Sequence, residues 1–217
     1  MISLPSSLTL NRPRFPRARA LALVPAVALV TGLGAFSAAP AQAALISTSA
    51  CNEASLSQPF AKWGDTSSYE LVPGGDFEGS LASWKLSGGA ARVPGSEPYG
   101  ATGSVGQYSL SLPAGASAQS PYTCVDAAYP TFRFFARNES LLSTVVVQVV
   151  YKTLLGEVAL PLGAVALSRE WEPTLPMLTG SVVTGLLSGG TAQVSLRFTA
   201  LTGSSRIDDV FVDPRMH

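Results

Sequence analysis

Apolar and polar residues alternate with a period of two through most of the chain, the period of strands half-buried in a sheet. Thr144 to Lys152 is the densest β-branched run, T-V-V-V-Q-V-V-Y-K, and predicts the strongest strand. Thr131 to Arg137 sets Phe132, Phe134 and Ala136 on one face and Arg133, Phe135 and Arg137 on the other. Further strands are expected at Tyr69–Val72, Ser83–Leu86, Ala90–Val93, Val105–Leu112, Ala118–Val125, Gly156–Leu160, Val182–Leu187 and Ala192–Thr199. Ile207 to Val212 makes one more, just before the chain ends. Gly88-Gly89 reads as a two-residue hairpin turn between its flanking strands. No segment shows convincing helical periodicity. Many short strands punctuated by Gly and Pro, without repeats or long linkers, predict an all-β antiparallel β-sandwich in one domain.

The alternation also proposes a surface. If Phe132, Phe134, Val145, Val147, Val149, Val194, Leu196 and Phe198 face the core, the opposite face presents Arg133, Arg137, Gln148, Lys152, Gln193 and Arg197. These guanidinium, ammonium and amide donors suit a soluble or acidic glycan better than a crystalline polysaccharide. The bland reading is an ordinary solvated sheet face.

The first residues change the picture. Arg12, Arg14, Arg17 and Arg19 precede an apolar run from Ala20 to Ala39, interrupted by Pro25, Gly32 and Gly34 and followed by Ala41-Gln42-Ala43. That order predicts a secretory signal peptide over residues 1–43, cleaved after Ala43, with a retained membrane anchor as the alternative. Residues 44–68 form an irregular lead-in of small and polar residues anchored by Phe60 and Trp63, and residues 69–217 form the sandwich. Without the leader the remaining 174 residues lose four arginines and carry a formal charge of −4. Such a chain lacks the clustered bases of a nucleic-acid groove, and no second apolar run is long enough to span a membrane. Cys51 and Cys124 are an even pair in an exported chain, which favours a disulfide over a lipid anchor on Cys51.

Chemistry by histidine is excluded by position, because the single His is His217, the last residue. Asp208 and Asp209 are adjacent, so regular strand geometry sends them to opposite faces and denies them a shared glycosidic bond. The chain is therefore read as non-catalytic.

Acids stand at both ends of the sandwich, in P-G-G-D-F-E (Pro73 to Glu78) with Trp84 shortly after, and in I-D-D-V (Ile207 to Val210). This pairing resembles the jelly-roll carbohydrate-binding modules of the galactose-binding-like superfamily, whose bookends are N-G-D-F-E…W and D-D-V; Gly74 replaces the usual Asn. Trp171 and the strand Val194 to Phe198 also fit the pattern, so the resemblance spans about Leu71 to Asp213. It implies a jelly roll, glycan binding outside the cell or at the envelope, and a structural calcium ion held by Asp76, Glu78 and Asp208. Trp84 and Trp171 occupy core or rim positions in the pattern, with stacking on sugar rings as the functional alternative. The rival reading is a structural or adhesion protein that uses the same sandwich for protein contacts.

Overall fold

The computed structural model describes residues 55–126, 131–153, 156–178 and 191–213, all within one compact unit, Gln42–His217. In chain order the strands are β1 (Leu56–Ser57), β2 (Tyr69–Leu71), β3 (Lys85–Ser87), β4 (Ala91–Pro94), β5 (Tyr108–Leu112), β6 (Ser117–Gln119) and β7 (Thr123–Asp126). They continue as β8 (Thr131–Asn138), β9 (Thr144–Thr153), β10 (Gly156–Ala166), β11 (Glu172–Pro173), β12 (Met177–Leu178), β13 (Thr191–Thr202) and β14 (Ser205–Asp213). A 3-10 turn at Ala61–Trp63 is the helical element among the described residues.

Two antiparallel sheets stack as a jelly-roll β-sandwich. The first is built around β14, which pairs with β8 along one side and with β2 and β5 along the other, with β1, β4, β11 and β12 outside these. The second runs β10-β9-β13-β6-β3, with β7 also paired to β13. Between them lies the main core, where Leu110, Phe132, Phe134, Ile207 and Val212 of the first sheet meet Val145, Val147, Val149, Leu196 and Phe198 of the second, each fully buried. All eight residues expected to face the core do so.

The opening and closing motifs meet as neighbours, since Phe211 of β14 pairs with Leu71 of β2. Val72 N–H donates to Val210 O at 2.9 Å and Val210 N–H to Gly75 O at 3.0 Å. A Cβ on Gly75 would lie 2.8 Å from Val210 O, so the turn needs glycine for this close approach.

Several boundaries differ from the sequence reading. The Ala118–Val125 stretch is broken by Ser120-Pro121-Tyr122 into β6 and β7. Val105 to Gln107 lie ahead of β5, and β10 continues past Pro161 to Ala166 by way of a bulge between Pro161 and Gly163. Gly88-Gly89 does not close a hairpin: β3 pairs with β6 in the second sheet while β4 pairs with β5 in the first. The two glycines have φ of 64° and 87° and carry the chain between sheets, and a Cβ on Gly88 would meet the Ala116 Cα at 2.7 Å. The strand expected at Val182–Leu187 lies outside the described residues.

A second, smaller apolar cluster covers the outer side of the first sheet. Phe60 of the lead-in sits among Tyr69, Phe135, Trp171 and Phe211, with ring centroids 5.0 to 5.6 Å from Tyr69, Phe135 and Phe211. Trp63 packs edge-on to Phe135 at 5.3 Å. The two aromatics expected to anchor the lead-in therefore anchor it onto a sheet face that alternation alone had left to solvent.

Candidate functional site

The six residues expected on one donor face divide between the two sheets. Arg133 and Arg137 belong to β8 in the first sheet, whereas Gln148, Lys152, Gln193 and Arg197 belong to β9 and β13 in the second. Arg133 is no surface donor: it is 4% exposed, its Nη1 lies 2.6 Å from Asp65 Oδ2, and its Nε donates to Thr174 O at 2.7 Å. Its guanidinium also lies 4.2 Å from the Phe60 ring centroid. The lead-in thus supplies a counter-charge and a lid, which a buried arginine requires. Burial works to raise the Asp65 carboxyl, but hydrogen bonds from Tyr69, Arg133 and Ser67 outweigh it and leave the group below its ordinary value.

Arg137 lies at one end of the sandwich. With Asn138, Glu139, Ser140, Leu141 and Arg169 it lines an open cavity of about 440 Å³. Glu139 Oε1 pairs there with Arg137 Nη2 at 3.4 Å and Arg206 Nε at 2.5 Å. Glu139 is the one acid against Arg137 and Arg169 in this lining and is shared with Arg206, so the cavity keeps a net positive charge.

The remaining four residues do share a face, the outer side of the second sheet, and register adds others. Lys85 pairs with Gln119, Gln119 with Arg197, and Arg197 with Gln148, so a row of donors crosses β3, β6, β13 and β9. Lys152 and Gln193 extend the face along β9 and β13. Arg197 directs both Nε (3.0 Å) and Nη2 (2.6 Å) at Gln119 Oε1.

This face is concave. β3 and β10 are opposite ends of the strand path, and four strand spacings of about 4.8 Å would hold them about 19 Å apart in a flat sheet, beyond the combined reach of two side chains. Yet Lys85 Nζ of β3 lies 2.6 Å from Glu157 Oε1 of β10. The sheet therefore curls into a trough, and Glu157 reaches over it. Its Oε2 lies 3.4 Å from Gln119 Nε2 and 3.7 Å from Arg197 Nη2. The Lys85 ammonium holds the Glu157 carboxyl below its ordinary value against the effect of burial. The Tyr122 hydroxyl is buried beside Glu157, close enough to feel its charge without a well-formed hydrogen bond. Burial first and Glu157 second push that phenol up to about 12.

Alternation found Gln148, Lys152, Gln193 and Arg197, but missed Lys85, Gln119, Tyr122 and Glu157. Lys85 and Gln119 sit in strands of three residues, too short to display a period, and Tyr122 follows a proline turn. Only Glu157, the lone charge in a long apolar strand, carried a signal.

Both tryptophans serve the core. Trp84 is 5% exposed, packs 5.0 Å from Phe77 and donates from Nε1 to Pro73 O at 3.1 Å. Trp171 is buried in the lead-in cluster, and its carbonyl accepts from the Tyr99 hydroxyl at 3.0 Å. Neither offers a ring face for stacking.

The acids expected to hold calcium take separate partners. Asp76 Oδ1 accepts from Glu78 N–H at 3.3 Å, and Glu78 Oε1 accepts from the amides of Gln107 (2.7 Å) and Tyr108 (2.8 Å). Asp208 is fully buried; Oδ2 accepts from Ser96 Oγ at 2.7 Å and Glu97 N–H at 2.9 Å, and Oδ1 from Asp209 N–H at 3.0 Å. Among the described residues no group of three His, Cys, Asp or Glu side chains is placed to hold a metal ion. Glu78 in particular is turned to backbone amides.

The strand that carries Asp208 is also less regular than alternation assumes. Asp209 has φ of 45°, and the register with β8 slips between Asp208 and Phe211. This bulge, rather than strand alternation, places both carboxyls in the interior beside Glu97. Burial raises Asp208 to about 7 despite its hydrogen bonds; burial and the charges of Asp208 and Glu97 raise Asp209 further. Glu97 is itself buried, with Oε1 accepting from Ala101 N–H at 2.8 Å and Oε2 from Tyr99 N–H.

The Cys51–Cys124 pairing and the leader fall on Cys51 and residues 1–43, outside the described residues. Within the described residues no helix is long and apolar enough to cross a membrane.

No family model and no curated protein matches the chain. Among solved structures it is similar to the CBM22-1 xylan-binding domain of Paenibacillus barcinonensis Xyn10C, with 12% identity, 65% of this chain and 93% of that one covered, and a TM-score of 0.45. It is similar to the CBM22-1–GH10 modules of Clostridium thermocellum xylanase 10B in complex with xylohexaose, with 15% identity, 65% and 28% coverage and a TM-score of 0.44. TmCBM61 in complex with β-1,4-galactotriose gives 15% identity, 67% and 98% coverage and a TM-score of 0.41.

Proposed function

We propose that this chain is an exported, non-catalytic carbohydrate-binding module whose ligand lies in the trough of the second sheet. The observation that carries this reading is the row Lys85, Arg197 and Gln148 on a concave face, with the buried Gln119 between Lys85 and Arg197 bracing the Arg197 guanidinium. A groove with donors at strand spacing can hydrogen-bond several hydroxyls of an extended oligosaccharide at once. Calorimetry with soluble oligosaccharides tests it, using neutral xylo- and galacto-oligosaccharides, the classes named for the similar modules, beside acidic ones. Replacing Arg197 and Gln148 together by alanine should weaken binding at least tenfold, as loss of about 1.5 kcal/mol or more of hydrogen bonding requires. Binding that survives the double replacement intact would move the ligand off this face.

The adhesion reading has an observation of its own. Leu141, Leu142 and Leu201 are 78%, 78% and 62% exposed, and Ser143 Oγ donates to Ser204 O at 2.6 Å, which brings the loop after β8 and the end of β13 to one end of the sandwich. If no glycan binds, that end is the surface to examine for protein contacts.

A structural calcium ion at Asp76, Glu78 and Asp208 is a separate proposal, supported by the hard-oxygen chemistry of these carboxylates. Holding one would require these groups to turn from their present amide partners to a common point.

A further inference from the structure

We infer that the trough contains a carboxylate subsite that the protein fills with its own Glu157, and that the ligand is an acidic glycan whose uronate displaces it. This rests on the glycan-binding reading of the same face. The Glu157 carboxylate, carried by one edge strand, lies among donors from other strands: the Lys85 ammonium at 2.6 Å, the Gln119 amide at 3.4 Å and the Arg197 guanidinium at 3.7 Å, with the Tyr122 hydroxyl alongside. Two cations from different strands therefore converge on a single acid.

Arg197 has no carboxylate at hydrogen-bond distance among the described residues. Its fork points at the neutral Gln119 oxygen, while its distance to Glu157 is longer than a hydrogen bond. A guanidinium binds a carboxylate best through two parallel bonds, which Glu157 does not supply. A uronate entering along the trough can take that bidentate position and Lys85 together. Glu157, with a side chain 33% exposed at the margin of the trough, can then swing to solvent. The internal carboxylate holds the donors in order before binding and competes with the ligand for them.

The test is calorimetric titration of the full mature chain with tetragalacturonate, its carboxyl-reduced neutral counterpart and a glutamate tetrapeptide. Wild type should bind the uronide more tightly than the neutral sugar, Glu157→Gln should tighten uronide binding about tenfold, and Lys85→Met should weaken it by a similar factor, with melting curves confirming that both variants fold. Equal binding of neutral and acidic sugars with no effect of Glu157→Gln would overturn this inference and leave the glycan-binding reading standing. No binding of any sugar by any folded variant would overturn both. Tightening toward the glutamate peptide equal to that toward the uronide would overturn the assignment of the subsite to glycans.

Discussion

Arg133 and Arg197 show how far surroundings decide what a residue does. Both alternate with core residues in β-rich stretches, yet one guanidinium is sealed between Asp65, Thr174 and the Phe60 ring while the other lies in the trough. The buried acids give the sharpest residue-scale expectation. Asp208 and Asp209 have folded pKa values raised above the unfolded carboxylate value of about 3.9, so the folded state binds more protons than the unfolded one. Their contribution to stability is complete below pH ~4 and is lost as the pH rises through about 7, the Asp208 value, and further as Asp209 follows. Melting temperature should therefore fall from pH 5 to pH 8, and Asp209→Asn should flatten the fall by removing one charge of the pair. If calcium binds here, added calcium should restore the melting temperature at pH 8 and a chelator should lower it. A melting temperature that rises over this interval in metal-free buffer would contradict the protonated pair.

At the scale of elements, tertiary demands override local signals in three places. Gly88-Gly89 has the positive φ values of a hairpin turn but is used to change sheets, because the chain passes against the Ala116 backbone. Pro161 would end a central strand; β10 lies at the sheet edge, pairs with β9 alone and absorbs the proline in a bulge. The lead-in, read as irregular, closes the outer face of the first sheet through Phe60. Phe60→Ala should destabilise the protein by about 3 kcal/mol through lost burial and a residual cavity, and should also loosen the Arg133–Asp65 pair beneath it. Denaturant unfolding measures the first effect. Hydrogen exchange at β8 amides measures the second, and unchanged stability would mean that the lead-in does not hold the sheet closed.

For the whole molecule, export and cross-linking are expectations from composition and spacing. The secreted protein should have an intact mass corresponding to a start at Ala44, less two hydrogens, with no free thiol under denaturing conditions. A retained leader or two reactive thiols would remove the export reading or the disulfide. Cys124 lies in β7, paired with Gln193 of β13 at the edge of the trough sheet, so a bridge to Cys51 would tie the lead-in to the sheet that carries the proposed ligand face. On the chain-entropy model such a bridge stabilises by roughly 4 kcal/mol, less any strain.

By itself the sequence determined what depends on local period and composition. The β-sandwich class, the eight inward-facing residues of β8, β9 and β13 and the anchoring roles of Phe60 and Trp63 follow from alternation or from residue patterns a few positions long. Only the tertiary structure decided which sheet each strand joins, because period two says which residues share a face of one strand and nothing about which strands share a sheet. That choice separated Arg133 and Arg137 from Arg197, turned Glu78 to the amides of Gln107 and Tyr108, and let a bulge at Asp209 gather acids that regular alternation would have parted. It also made the trough, since curling of the second sheet brings Lys85 and Glu157, 72 residues apart in the chain, to within 2.6 Å.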